Sequence, residues 1–385
     1  MEDKDIGYFS NNINEEELNQ EEEKEEKLYL ASQWQLIWWK FKRHKLAMVA
    51  LIIMIILYLM AVFCDFLAPY SPNTRFGEYA NVPPQRVRFL EDGKLQRPFV
   101  YGYKETLDPV TFRYEHTEDK TKKYPIFFFV KGEPYKFLNL FQTNIHLFGL
   151  DDADVPIFIF GADKLGRCVF SRVLYGSRVS LSIGLVGVLL SFLLGLTLGG
   201  ISGYFGGIVD EVIQRIIDYL ISIPTIPLWL ALAAALPRDW PVTKTYFAIT
   251  IVLSLFGWCG LARVVRGKLL ALREEDFTVA ARLAGSSEWR IITRHLIPSF
   301  SSHLIVSITL SIPNMILGET ALSFLGLGMQ PPAVSWGVLL QEAQSLMAIS
   351  HHPHKLIPAI FVILTVLIFN FVGDGLRDAV DPYSR

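Results

Sequence analysis

Residues 46–64, LAMVALIIMIILYLMAVFC, run nineteen positions without a charged side chain. At about 1.5 Å per residue, a helix of that length crosses the roughly 30 Å of bilayer hydrocarbon. Residues 179–202, 216–236, 246–262, 304–325 and 356–372 form five more long windows almost free of charge, with Glu319 interrupting 304–325. Hydrophobic residues make up 51% of the chain and mean hydropathy is +0.32. A large soluble protein could share those totals, but not six such windows, so the expected class is an all-α polytopic membrane protein with six spans.

Lys40, Lys42, Arg43, His44 and Lys45 precede the first window and hold that end in the cytoplasm by the positive-inside tendency. Alternate crossings then place 65–178 outside, 203–215 inside, 237–245 outside, 263–303 inside, 326–355 outside and 373–385 inside. The basic segment 263–300, with Arg263, Arg266, Lys268, Arg273, Arg282, Arg290 and Arg294, falls inside without being used to set the count. Both termini are expected in the cytoplasm. The formal net charge of -2 hides these local polarities and points to no partner, nucleic acid included.

The first thirty residues hold eleven Asp/Glu against three Lys, a composition that repels itself and predicts a disordered tail over 1–30. No cleavable leader is expected, because the first long apolar run begins only after residue 45. Trp34, Ile37, Trp38 and Phe41 recur at helical spacing beside Lys40 and Lys42, predicting an interfacial helix over 31–45 that anchors the chain to the bilayer surface.

The external stretch is too long and polar for a simple link. RVRFL (86–90), TFRYEH (111–116) and YPIFFFV (124–130) read as short strands, with EDGK and TEDKTKK as turns and Asp92-Gly93 a strong turn signal. A small β-rich insertion between the first and second spans follows. Its aromatic side chains are better used as a core than as a peptide site. Cys64, Cys168 and Cys259 are too scattered for a disulfide framework, and His351, His352 and His354 lack a carboxylate at ligand spacing, so no metal site is expected.

Catalytic signatures are absent: the glycine cluster around residue 200 contains no G-x-x-x-x-G-K-[ST]. Gly195, Gly199 and Gly203, four apart in an apolar window, instead predict a helix-packing face. Pro224, Pro227 and Pro313 remove backbone donors inside spans and serve either as joints or as packing kinks. Glu319 either lines a pathway or braces the bundle, bracing being preferred.

Five blocks carry a family resemblance: FGADKLGRCVFSRVLYGSRVSLSIGL (160–185), GYFGGIVDEVIQRIIDYLISIP (203–224), AARLAGSSEWRIITRHLIP (280–298), GETALSFLGLGMQPPAVSWGVLL (318–340) and FNFVGDGLRDAVDPY (369–383). In that order they resemble the inner-membrane permease subunits of dipeptide/oligopeptide ABC importers, the DppC/OppC-like branch. The family's cytoplasmic motif maps onto Val279, Ala280, Ala281, Gly285, Ile297 and Pro298, with Val279 where an acid and Ile297 where a Leu is usual. Cys168 replaces a usual Asp, and the external insertion exceeds what many members carry.

The resemblance implies six helices of the type I ABC importer permease fold. It places a first transmembrane helix over 46–67, an extracytoplasmic insertion over 68–160, and a permease domain over 161–385 with a coupling loop at 263–300. It also implies a short loop helix seated in a groove of an ATPase. Residues 273–284 suit that helix. Glu274, Glu275 and Asp276 favour its first turn, Phe277, Ala280, Ala281 and Ala284 give it a small apolar face, and Gly285 ends it.

Implied partners are a second homologous permease, two cytoplasmic ATPase subunits that bind Mg-ATP, an extracytoplasmic peptide-binding protein and the lipid bilayer of a prokaryotic inner membrane. The chain itself would hold no cofactor and perform no catalysis. The same architecture importing nickel or another small solute is the main rival reading. An ion-coupled secondary transporter would need charged residues in its spans, and a channel would need a filter or pore-lining ring.

Overall fold

The computed structural model describes residues 30–91, 94–107, 114–138, 140–151, 155–237 and 239–381. The acidic tail before Leu30, the Asp92-Gly93 turn and residues 111–113 of the second expected strand lie outside the described residues.

The first helix, α1 (Gln33–Arg43), begins at a capping box. The Ser32 side chain accepts from the Gln35 N–H, and Gln35 Oε1 accepts from the Ser32 N–H at 2.9 Å. Trp34, Trp38 and Trp39 stay exposed while Phe41 is buried, and Lys42 lies 5.2 Å over the Trp38 ring. After His44 the chain enters α2 (Lys45–Val62), whose mean composition is apolar all round.

The remaining long helices are α3 (Val169–Phe205), α4 (Gly207–Ser222), α5 (Thr225–Ala234), α6 (Val242–Leu272), the short α7 (Asp276–Leu283), α8 (Ser301–Phe324), the short α9 (Trp336–Gln341) and α10 (Ile357–Val380). Among the described residues five helices are long and apolar enough to cross a membrane, and the pair α4–α5 makes a sixth crossing if its break counts as one span. The chain ends require that count. Lys40 Nζ donates to the Asp381 carbonyl at 3.1 Å and His44 lies 3.8 Å from Asp378, so the segments before the first span and after the last share one face. An even number of crossings follows.

Two expected spans are much longer than their apolar windows. α3 starts ten residues before 179 and α6 runs ten past 262. Hydropathy marks only the hydrocarbon, whereas a helix continues wherever its charges find partners. Outside, Arg178 donates to Asp65 at 2.6 Å. Inside, Arg266 holds Asp210 of α4 through two 2.5 Å bonds, and Arg263 holds Asp218 at 2.5 Å. The third expected span, 216–236, is not one helix. Its two halves meet at 86°. Pro224 disfavours helical geometry at Ile223, which is extended at ψ 130°. Pro227 falls in the first turn of α5, where no amide partner is lost. Pro313 is buried within the uninterrupted α8.

The insertion is a four-stranded antiparallel sheet in the order β1 (Arg88–Glu91), β2 (Lys94–Leu107), β3 (Tyr114–Phe137) and β4 (Phe141–Leu150). TEDKTKK is not the expected turn. β3 runs through it, pairing first with β2 and then, beyond Pro125, with β4. The irregularity is absorbed by a register shift: Tyr101 faces Lys123 and Gly102 faces Asp119, while Asp119 Oδ1 accepts from the Thr121 N–H and hydroxyl. The hydroxyl and amide bonds hold the Asp119 carboxyl below its usual range.

Helices α2, α3, α6, α8 and α10 enclose the main core, which includes Leu57, Leu181, Leu253, Ile316 and Phe369. The stretch after α8 is not a simple external loop. It turns back so that Trp336 is fully buried, donating Nε1–H to the Val173 carbonyl at 3.1 Å.

Candidate functional site

Five arrangements carry the chemistry of the bundle. At the α4–α5 break, a cleft of about 210 Å³ opens between the broken span and α8. Thr225, Ser311 and Asn314 supply uncharged polar groups, and Trp229 and Met315 supply apolar walls. The break set by Pro224 brings Thr225 there, and Pro313 immediately precedes Asn314. Trp229 Nε1 is buried without a hydrogen-bond partner among the described residues. Such a surface solvates polar solutes without fixing one charge.

The glycine face lies along the α3–α6 seam. A Cβ at Gly199 would stand 2.5 Å from the Ala262 carbonyl oxygen, one at Gly203 2.8 Å from that of Arg266, and one at Gly195 2.9 Å from Leu261 Cβ. Backbone meets backbone here, which only hydrogen side chains allow.

Glu319 is fully buried and accepts from Ser180 at 3.2 Å and Ser323 at 2.7 Å. The same hydroxyls accept from the Trp336 and Met329 amides at 3.1 and 2.9 Å. One carboxyl thus joins α3, α8 and the returning segment, away from the cleft.

Sequence reasoning missed the external charge cluster. Asp163 Oδ2 accepts from Arg167 at 2.6 Å and Arg172 at 2.5 Å, and both arginines reach Glu342, at 2.9 and 2.7 Å. All four side chains are at most 12% exposed. Two positive and two negative groups neutralise one another, clamping the entry of α3 to the end of α9. The available signal was an Asp and two Arg in one block beside an apolar window. Nearby, burial raises the Cys168 thiol, keeping it unreactive.

On the basic face, α7 covers 276–283 rather than the expected 273–284, because the chain turns at Arg273 and restarts with Glu275 as N-cap. Glu274 pairs with Arg273 at 2.9 Å, and Asp276 sits in the first turn. The helix ends in a Schellman motif: Gly285 at φ +77° donates to Arg282, and Ser286 donates to Ala281 at 3.1 Å. Phe277, Ala280 and Ala284 are exposed. Ala281 departs from that face. It turns back onto the cluster of Tyr204, Val265, Leu269 and Leu296, beside the buried Thr278. Leu283 and Trp289, 84% and 73% exposed, add an apolar surface that sequence reasoning left out. Pro298 is the second residue of a single helical turn, Ile297–Ser299, leading into α8.

Residues 195–385 match the family described as binding-protein-dependent transport system inner membrane component, and residues 32–84 match the N-terminal TM domain of oligopeptide transport permease C. The dipeptide transport system permease protein DppC of Bacillus subtilis is 31% identical over 371 residues, 96% of this chain and 92% of that protein. Its namesake from Lactococcus lactis is 34% identical over 90% of this chain and 89% of its own length. The glutathione transport system permease protein GsiD of Pectobacterium atrosepticum is 40% identical over 65% of this chain and 79% of its own. Among solved structures, an inward-facing methionine ABC transporter covers 54% of this chain and 96% of that one at 18% identity and TM-score 0.42, too loose a likeness to argue from. The chain belongs to the family of binding-protein-dependent inner-membrane transport components and is a membrane permease subunit of an ABC importer.

Proposed function

We propose that the chain forms one half of the path by which di- or oligopeptides enter the cell. The supporting observation is the cleft at the α4–α5 break, where Thr225, Ser311 and Asn314 offer neutral hydrogen-bonding groups beside Trp229. A peptide carries amides and both charge signs at its ends. Neutral polar walls lower its cost of crossing without trapping either terminus. Relatives that align across nine-tenths of the chain, insertion included, are dipeptide permeases by name.

In this reading a second homologous permease closes the path, an external binding protein delivers peptide to the outward-open cavity, and two ATPases act from the cytoplasm. The permease domain is 161–385, with 68–160 as its external insertion. α7, which ends at Leu283, and the nearby Trp289 seat in an ATPase groove, with Phe277, Ala280 and Ala284 as the small outer face. The charged residues Glu274, Glu275 and Asp276 orient the first turn, and Gly285 and Pro298 fix the exits of the loop. Glu319 braces the bundle, while Pro224, Pro227 and Pro313 shape the helices that border the cleft.

Proteoliposomes holding the complete assembly test this directly, with labelled dipeptide, tetrapeptide and nickel offered in parallel. ATP-dependent accumulation of either peptide is expected. Accumulation of nickel with neither peptide transported would keep the architecture and move the substrate to another class.

A further inference from the structure

The β3–β4 hairpin ends in Phe137-Leu138-Asn139-Leu140-Phe141, four apolar residues in five positions where a water-facing turn would carry polar ones. Leu138, Leu140 and Phe141 are 45%, 78% and 59% exposed. Phe137 sits between two rings, 5.5 Å from Phe141 and 5.6 Å from Phe63. Phe129, also exposed and turned outward at φ +57°, lies 6.2 Å from Phe66.

Phe63 fixes the depth of this patch. It is the C-cap of α2, and the 18 residues of that helix reach about 27 Å, so the whole of α2 is needed to cross the hydrocarbon. Phe63 therefore stands at the hydrocarbon boundary, and a hairpin tip in contact with it stands there too. The outer half of α2 exposes Ile55, Ile56, Leu59 and Val62, so the lipid-facing stripe of the span continues into the tip. Lys131 and Lys136 are exposed on β3 beside it, where their stems can lie along apolar surface while the ammonium groups meet headgroup phosphates.

We propose that the β3–β4 tip is a membrane anchor, with Leu138, Leu140 and Phe141 inserted into the headgroup–acyl boundary of the leaflet on the insertion's own side. The anchor would hold the far end of β3 at a fixed height above the bundle. A buried apolar tip of this kind enters such a boundary by about 5–10 Å.

The test uses the full chain in its assembly in nanodiscs, with an environment-sensitive fluorophore on Leu140→Cys, on Val62→Cys as boundary reference, and on Glu105→Cys of β2, which pairs with His116 near the other end of β3. The native cysteines are buried and do not compete. Spin-labelled lipids should quench the label at Leu140 several-fold more than at Glu105, and nearly as much as at Val62. Equal quenching at Leu140 and Glu105 would overturn the proposal. Lipid-insensitive fluorescence that shifts only when the external binding protein is added would also overturn it, assigning the tip to a protein interface instead.

Discussion

Gly199 and Gly200 are neighbours on α3 with opposite surroundings, so the same substitution at each separates helix propensity from packing. At Gly200 an added Cβ meets only Leu269 Cδ1, at 3.9 Å. At Gly199 it would stand 2.5 Å from the Ala262 oxygen and 2.7 Å from its Cα, against an ordinary contact beginning at 3.4 Å. The α3–α6 seam would have to open by about 0.9 Å at that point, the difference between 3.4 and 2.5 Å. Neither contact is with a side chain that could rotate away. Each Gly→Ala change gains about 0.5–1 kcal/mol of helix preference, which cancels in the comparison. Overpacking leaves Gly199→Ala about 1–3 kcal/mol less stable than Gly200→Ala. Thermal unfolding of the purified assembly in one detergent, followed by loss of monodispersity, measures the difference. Gly200→Ala should match or exceed the parent and Gly199→Ala should fall below it. Equal midpoints would show that the two helices do not meet through this face.

Glu342→Ala leaves Arg167 and Arg172 sharing only the Asp163 carboxylate, one positive charge uncompensated in a buried site, and should destabilise by about 3–5 kcal/mol, whereas Glu211→Ala, in an exposed pair, should cost about 0–1 kcal/mol in the same unfolding assay. Ala284→Trp and Leu283→Glu should abolish ATP-driven uptake while leaving membrane insertion and the unfolding midpoint unchanged; Ala281→Trp should instead lower the midpoint, because that side chain faces the cluster around Leu269. An impermeant thiol reagent applied to intact cells should label cysteines at Thr117, Pro241 and Leu346 but not at Leu283. Labelling at Leu283 would invert the topology.

Span positions are legible in this sequence because hydrocarbon excludes charge, but helix ends are not. Arg172 continues α3 outward only because Glu342 waits for it from a distant segment, and Arg266 continues α6 inward only because Asp210 faces it. The turn at Gly285 is legible because it depends on neighbours in the chain, whereas Pro224 marks a joint or kink without giving the 86° bend. The orientation of Ala281 depends on where the whole loop packs, and TEDKTKK becomes strand because β2 offers it a partner. The environment of Glu319 was equally hidden, since its serines arrive from α3 and α8 and their hydroxyls are held by amides beyond.

Transport driven by ATP through a composite path is tested most directly by omission. Proteoliposomes containing this chain, a second permease, two ATPases and the external binding protein should accumulate labelled dipeptide only with ATP inside the nucleotide-accessible compartment. Leaving out any one component should reduce uptake to the level of empty liposomes. Uptake by this chain alone, driven by a proton or sodium gradient and indifferent to ATP, would contradict that assignment.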